Sequence, residues 1–190
     1  MKIELENCQK SLTLKNFEEI ESKLGYALPD RLKEFYLQYN GGSTKQTASI
    51  NKYQEVEIED FFPFKYNKDF KNDPRYTAEG ETLELRKAGA ISDSILIFAM
   101  ESTDEGRITI DLVNGKVYLY PIVGMQDVIF NFGEPRLVAN SIDDFFDNLV
   151  VLDEHKAIPA IEEIEEGQTE TAGVMPELSD CSASLTKEDI

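Results

Sequence analysis

The spacing of apolar residues changes along this chain, and the change limits the folds that the chain can adopt. Between residues 17 and 39 the apolar residues recur every three or four positions, as on one face of a helix. From about residue 48 to residue 140 the spacing approaches two, which is typical of strands. From residue 141 the helical spacing returns. This order predicts an α+β fold.

The N-terminal part predicts two helices. Asn16 can cap the first helix, with Glu19 completing an approximate capping box, and Gly25 ends it. Pro29 suits the first turn of the second helix, which ends at an Asn-Gly-Gly run over residues 40–42. The side chains expected in the core are Phe17, Ile20 and Leu24 of the first helix and Leu32, Phe35, Tyr36 and Tyr39 of the second.

The central part predicts antiparallel strands. The clearest pair spans residues 107–112 and 117–121, and Asn114-Gly115 between them favours a type I′ turn. The apolar run at residues 95–99 predicts a strand that is buried on both faces. Shorter strands are predicted at residues 128–132 and 136–138, and a weaker helix at residues 82–88.

The C-terminal part predicts one more helix and then a tail. Ser141 caps the helix, and Ile142, Phe145, Phe146 and Leu149 share one face. Beyond residue 152 the apolar pattern ends, and residues 151–190 hold 11 acidic and 2 basic residues. We therefore expect a folded domain at residues 1–152 and an acidic C-terminal tail at residues 153–190.

The charge of the chain limits its partners. It carries 37 acidic and 19 basic residues, a formal net charge of −18, so it should repel nucleic acid and anionic membranes. The longest fully apolar run has only six residues, and charges occupy the N-terminal positions where a signal peptide is apolar. We expect neither a nucleic-acid nor a membrane partner, and a cytoplasmic location.

The residues that carry most enzyme chemistry are scarce. The chain has one histidine, His155, and two cysteines, Cys8 and Cys181, which lie near opposite ends and lack metal-ligand spacing. The glycines at residues 41–42 follow a helix, whereas a phosphate-binding loop precedes one. A carboxylate enzyme has only the abundance of Asp and Glu in its favour. We expect no catalytic residue, no cofactor and no metal.

Two acidic segments are candidates for binding a partner. Residues 55–60 precede the Phe-Phe-Pro-Phe run at residues 61–64, which is either a core strand that ends in a turn or an aromatic anchor ringed by carboxylates. Residues 101–106 resemble a fragment of a calcium loop without its spacing, and a solvated connection explains them better. The candidate partner-binding residues are Glu55, Glu57, Glu59, Asp60, Glu101, Asp104 and Glu105.

Three segments together resemble the SUKH superfamily, the Smi/Knr-like proteins. Residues 20–42 contain a Leu-Pro step and end in Asn-Gly-Gly. Residues 97–118 place an apolar strand before a Gly-containing turn and a hairpin that ends in Gly-Lys-Val-Tyr, and residues 141–149 match the closing helix. Tyrosines stand at Tyr118 and Tyr120 where the family often has tryptophan, which this chain lacks.

The resemblance implies both a fold and a function. It implies helices packed on a mainly antiparallel sheet. Bacterial members are commonly immunity proteins that neutralise polymorphic toxins, often nucleases, by direct binding, and eukaryotic relatives are regulatory scaffolds for cell-wall synthesis. We therefore predict a non-enzymatic immunity protein for a basic cognate toxin. The alternative is a Smi/Knr-like regulatory scaffold with several cellular partners. The oligomeric state is left open.

Overall fold

Helices and strands follow one another along the chain in the predicted order. The computed structural model describes residues 3–50, 55–102, 106–126 and 129–151, so the predictions for residues 153–190, including His155 and Cys181, lie outside the described residues. The described helices are α1 (Leu14–Leu24), α2 (Asp30–Gln38), α3 (Ala78–Lys87) and α4 (Ile142–Asp147). The described strands are β1 (Gly42–Ile50), β2 (Glu55–Phe61), β3 (Ile95–Glu101), β4 (Gly106–Asp111), β5 (Val117–Gln126), β6 (Ile129–Phe132), β7 (Arg136–Ala139) and β8 (Leu149–Val151).

The strands form an antiparallel sheet, as the resemblance implied. Its order is β6-β5-β4-β3-β2-β1-β8, and β7 pairs with the first half of β5. Every pairing between these strands is antiparallel. The outer strand β8 was not predicted from the sequence. No helix in the described part of the chain has the length and apolar content needed to cross a bilayer.

The first helix begins earlier than predicted. Thr13 is its N-cap, and the backbone N–H of Thr13 donates to Asn16 Oδ1 at 2.9 Å. Asn16 is therefore the third residue of the helix, whose side chain bonds back to the cap, and it is not the cap itself. Glu19, which was predicted to complete the capping box, instead forms an ion pair with Lys65. Gly25 ends the helix with φ +77°, as predicted.

The faces predicted for α1 and α2 are confirmed. Phe17, Ile20 and Leu24 of α1 are buried, as are Leu32, Phe35 and Tyr36 of α2, whereas Tyr39 is half-buried just after α2. These helices join α4 over one face of the sheet. The strand residues buried with them are Val56, Ile58, Phe61, Leu96, Phe98, Ile108, Ile110, Val117 and Leu119.

A smaller apolar cluster forms around the other side of β3. It contains Ile95, Ile97, Leu85 and Ile91, which pack against Phe62 and the aromatic residues of β5 and β6. This confirms that β3 is buried on both faces. Arg107 of β4 is also buried, and its Nε donates to Glu81 Oε1 at 2.9 Å.

Helix α3 satisfies backbone groups at the start of β3, which pairs there with β4 but not with β2. The side chain of Thr82 accepts a hydrogen bond from the Ile97 N–H at 3.0 Å, and Arg86 donates to the Ile95 carbonyl at 2.9 Å. Arg86 also donates to the Leu24 carbonyl at the end of α1 at 2.7 Å. This helix starts at Ala78, four residues before the predicted start, because Thr77 caps it by accepting from the Gly80 N–H.

Two local predictions were wrong. Asn114 does not have the positive φ that a type I′ turn requires, and in this turn only Gly115 does. The Asp111 carboxylate accepts from the Val113 N–H at 2.9 Å and from Asn114 Nδ2 at 2.7 Å, which stabilises a longer loop. Leu149 belongs to β8 and not to α4, because α4 ends at Asp147 and the chain then pairs with β1. The Ser141 cap is confirmed.

Candidate partner-binding surface

Three of the described side chains of strand β2 are carboxylates on the face of the sheet opposite α1 and α2. Val56 and Ile58 are buried in the core, so Glu57 between them is exposed on the opposite face. The pairing of β2 with β3 shifts register between Ile58 and Asp60, which is the sign of a β-bulge. Ile58 and Phe61 are both buried, and therefore the two residues between them lie on the outer face.

Glu57, Glu59 and Asp60 define what we call the acidic face. Within the described part of the chain none of the three forms an ion pair, and Glu57 Oε2 accepts only from the Ser102 hydroxyl, at 3.1 Å. Unpaired carboxylates that share one face attract a basic surface and speed encounter with it.

The structure brings together only some of the predicted contact residues. Glu55 is the first residue of β2, and its side chain lies outside the described residues. Glu101 is half-buried and lies opposite Ile58 in the register of β2 and β3. Directly opposed residues share a face, so Glu101 lies on the Ile58 side and not beside Glu57. Asp104 and Glu105 lie outside the described residues.

The aromatic run at the end of β2 belongs mainly to the core. Phe61 and Phe64 are fully buried, and their ring centroids lie 4.7 Å from Phe35 and 4.5 Å from Tyr36, respectively. The core interpretation of residues 61–64 is therefore confirmed for these two rings. Phe62 is half-buried, and Arg107 lies over its ring at 5.6 Å.

A cleft of about 420 Å³ opens beside the acidic face. Its floor contains Ser43, Asp60 and Met100, which are cross-strand partners on β1, β2 and β3 and therefore lie in one row. One wall comes from residues 67–76, which form two short 3₁₀ segments, Lys68–Phe70 and Pro74–Tyr76. We call this space the Asp60 cleft.

Sequence reasoning missed the wall of the Asp60 cleft. Asn67, Phe70 and Tyr76 belong to a segment without apolar periodicity, and no element was predicted there. The available signal was weak: two aromatic residues among lysines, asparagines and aspartates. Such residues are ordinary in loops, so no sequence pattern indicates that they lie beside Asp60.

A buried carboxylate holds the segment that follows β2. Glu79 Oε1 accepts from the Lys65 N–H at 2.9 Å, and Glu79 Oε2 has no hydrogen-bond partner among the described residues. Burial raises the pKa of the Glu79 carboxyl, although backbone N–H donors and Thr77 oppose the rise. Glu79 is 4% exposed, so it supports the segment and is not available to a partner.

The reactive groups in the described region are few. Burial raises the pKa of the Cys8 thiol, which keeps it protonated and weakens it as a nucleophile. Among the residues that the structure describes, no three His, Cys, Asp or Glu side chains are grouped closely enough to hold a metal ion.

The fold and the surface define a class of protein: an α+β domain with α1, α2 and α4 on one face of an antiparallel sheet and carboxylates of β2 on the other. The chain belongs to the SMI1 / KNR4 family (SUKH-1), whose profile matches residues 11–148. The matched range starts just before α1 and ends just after α4, so it includes the acidic face and all of the Asp60 cleft except Asn7 and Gln9. A search of the curated proteins finds no match to the chain.

Proposed function

We propose that this protein is an immunity protein that neutralises a basic toxin by binding it through the acidic face. The observation that carries the proposal is the placement of Glu57, Glu59 and Asp60 on one sheet face without ion-pair partners in the described chain. Membership of the SMI1 / KNR4 family (SUKH-1) supports it, since that family includes immunity proteins.

Electrostatics supports a nuclease as the target. A nuclease must hold phosphates, so its substrate groove is basic, and carboxylates can occupy that groove in place of the substrate. A net charge of −18 attracts such a protein over long distances and raises the association rate by about 10 to 1000-fold at low salt. The toxin is inhibited by occupation of its groove, and no catalytic step is required of this chain.

Co-expression tests the function directly. The probe is the toxin encoded by a gene adjacent to the gene for this protein, and co-expression is expected to restore growth and to yield a complex on size exclusion. Continued killing without a complex would reject the proposal. Capture of several unrelated cellular proteins in place of one toxin would favour the scaffold alternative.

A pair of triple variants tests the surface. The test variant removes the three charges of the acidic face, and the control removes three exposed charges elsewhere, so the two have the same net charge. We expect the test variant to bind the toxin at least about tenfold more weakly and the control to stay within about threefold. Equal weakening of the two would show that total charge matters and the face does not. The test variant is Glu57→Gln, Glu59→Gln and Asp60→Asn, and the control is Glu18→Gln, Glu84→Gln and Glu134→Gln.

Salt dependence provides a further check on the wild type. The screening length falls from about 30 Å at 0.01 M salt to about 8 Å at 0.15 M. The association rate measured by stopped flow is therefore expected to fall steeply over this range. A rate that does not change with salt would remove long-range attraction from the proposal.

A further inference from the structure

We infer that the Asp60 cleft binds an arginine side chain of the partner protein. The inference rests on the proposed function, which requires a basic partner. It adds the place where one basic residue of that partner binds. The charged side chains that line the cleft are Asp60 and Asp69, and none of its described lining residues is a lysine or an arginine. The cleft is thus electrostatically suited to a cation.

A stacked aromatic pair stands at the wall of the cleft. The rings of Phe70 and Tyr76 lie 4.1 Å apart between centroids and 14° from parallel. They are nevertheless 50% and 44% exposed, which is unusual for side chains of this size. An exposed aromatic face attracts a guanidinium group, which is planar and stacks on the ring.

The aromatic pair is held in place by Asn67. The side-chain Nδ2 of Asn67 donates to the Tyr76 carbonyl at 2.6 Å, and the Asn67 N–H donates to Asn72 Oδ1 at 3.1 Å. These bonds tie both ends of the segment that carries the rings. A fixed platform costs less conformational entropy when a ligand binds to it.

Asn67 supplies an independent sign that a donor is missing. Asn67 lines the cleft and is 6% exposed, and its Oδ1 has no hydrogen-bond partner in the described part of the chain. A buried acceptor without a donor destabilises the protein until a ligand supplies one. Asp60 is also an acceptor, and Asp69 already accepts from Gln9 Nε2 at 2.8 Å.

The chemistry favours arginine over lysine. The two groups that would bind the ligand, the Asp60 carboxylate and Asn67 Oδ1, both accept hydrogen bonds, and a guanidinium offers five N–H donors in a plane and no acceptor. The same plane can lie against Tyr76 while its edge donates to the carboxylate of Asp60. An ammonium group offers donors but no flat surface to stack, so it satisfies only part of the site.

A peptide titration of the full-length protein tests the inference. The probe is acetyl-Gly-Gly-Arg-Gly-Gly-amide, followed by backbone amide shifts in NMR spectra, and the matched probes carry lysine or uncharged citrulline in place of arginine. We expect saturable shifts at residues 67–76, with citrulline binding at least about tenfold more weakly, which corresponds to about 1.4 kcal/mol. The lysine probe should bind with intermediate affinity. Unsaturable shifts, or equal binding of all three probes, would overturn the inference.

Matched variants locate the site. Tyr76→Ala and Asp60→Asn should each weaken the arginine probe about tenfold. Tyr76→Phe keeps the ring and should bind the arginine probe within about twofold of the wild type. If affinity falls in Tyr76→Ala but not in Tyr76→Phe, the ring and not the hydroxyl is responsible. Glu59→Gln removes the same charge from the residue next to Asp60 but outside the cleft lining, and it should bind like the wild type. Equal weakening by Glu59→Gln and Asp60→Asn would show diffuse attraction and no site.

The two proposals fail separately, because the peptide titration uses no toxin. If the toxin complex forms but the arginine probe does not bind, the cleft inference falls and the proposed function stands. If the probe binds at the cleft but no toxin is neutralised, the proposed function falls and the cleft remains a site for arginine.

Discussion

The buried side chain of Asn40 is expected to contribute strongly to the stability of the fold. It is 2% exposed and makes three hydrogen bonds with backbone groups. Its Nδ2 donates to the Lys10 carbonyl at 2.7 Å and to the Phe64 carbonyl at 3.0 Å, and its Oδ1 accepts from the Phe64 N–H at 2.8 Å. One side chain thus joins the segment before α1 to the segment after β2.

The substitution Asn40→Ala removes all three hydrogen bonds and leaves the backbone groups of Lys10 and Phe64 without the side chain that bonds them. At about 1 kcal/mol net for each bond, the free energy of unfolding should fall by about 3 kcal/mol. With an m-value of about 2 kcal/mol/M, the midpoint of urea unfolding should fall by about 1.5 M while the m-value stays constant. Circular dichroism at the helix band measures this transition.

Asn131→Ala is the matched control, because Asn131 is exposed on β6 and makes no side-chain hydrogen bond in the described chain. It should change the free energy of unfolding by less than about 0.5 kcal/mol. A loss below about 1 kcal/mol for Asn40→Ala would refute the reasoning, since it would mean that water replaces the side chain at little cost.

Three more outcomes follow from the structure. Phe35→Ala should lower the free energy of unfolding by about 3 to 5 kcal/mol, because the ring packs 4.7 Å from Phe61 and 4.8 Å from Phe146; a loss under about 1 kcal/mol in urea titrations would contradict this. Ser141→Ala should cost about 1 kcal/mol in a thermal melt, because the hydroxyl accepts the N–H three residues ahead at 3.0 Å; an unchanged melt would argue against the cap. Burial raises the pKa of Glu79, so the folded chain holds this proton more tightly than the unfolded chain, and stability should fall as pH rises above the ordinary carboxyl range near about 4.3. Glu79→Gln should lack this fall when unfolding is measured across a pH series, and equal slopes in both proteins would contradict the assignment.

The parts of the fold that were predicted correctly are those that local pattern determines. The face of α2 follows from the spacing of Leu32, Phe35 and Tyr36, and β3 follows from an unbroken apolar run. In both cases the residues that signal the element are the residues that pack. The antiparallel character of the sheet came from the family resemblance and one hairpin.

The missed parts depend on contacts between residues distant in sequence or on backbone detail. Gly80 reads as a helix breaker, yet it lies in the first turn of α3, where an added Cβ would stand 1.6 Å from the Pro74 carbonyl oxygen. Strand β8 exists because it pairs with β1, about a hundred residues earlier, and Leu149 continues the helical spacing of α4. Neither the close approach at Gly80 nor the pairing of β8 can be predicted from local sequence.

The candidate site also has one part that local sequence pattern predicts and one part that it does not. The acidic face was predicted in part, because Glu57, Glu59 and Asp60 alternate with or adjoin core residues in one strand. The Asp60 cleft could not be predicted, because it is formed where strands meet a loop without pattern. Glu101 was assigned to the site from its charge, and only the strand register shows that it lies on the other side.

The bulge in β2 has a consequence for how this surface can evolve. One extra residue turns two consecutive side chains toward solvent, so acid density doubles locally without lengthening the strand. Deletion of either residue would move each following side chain of the strand to the opposite face of the sheet, and Phe61 would leave the core. Recognition can therefore diverge at these two positions by exchange of one amino acid for another, whereas insertion or deletion there would sacrifice folding.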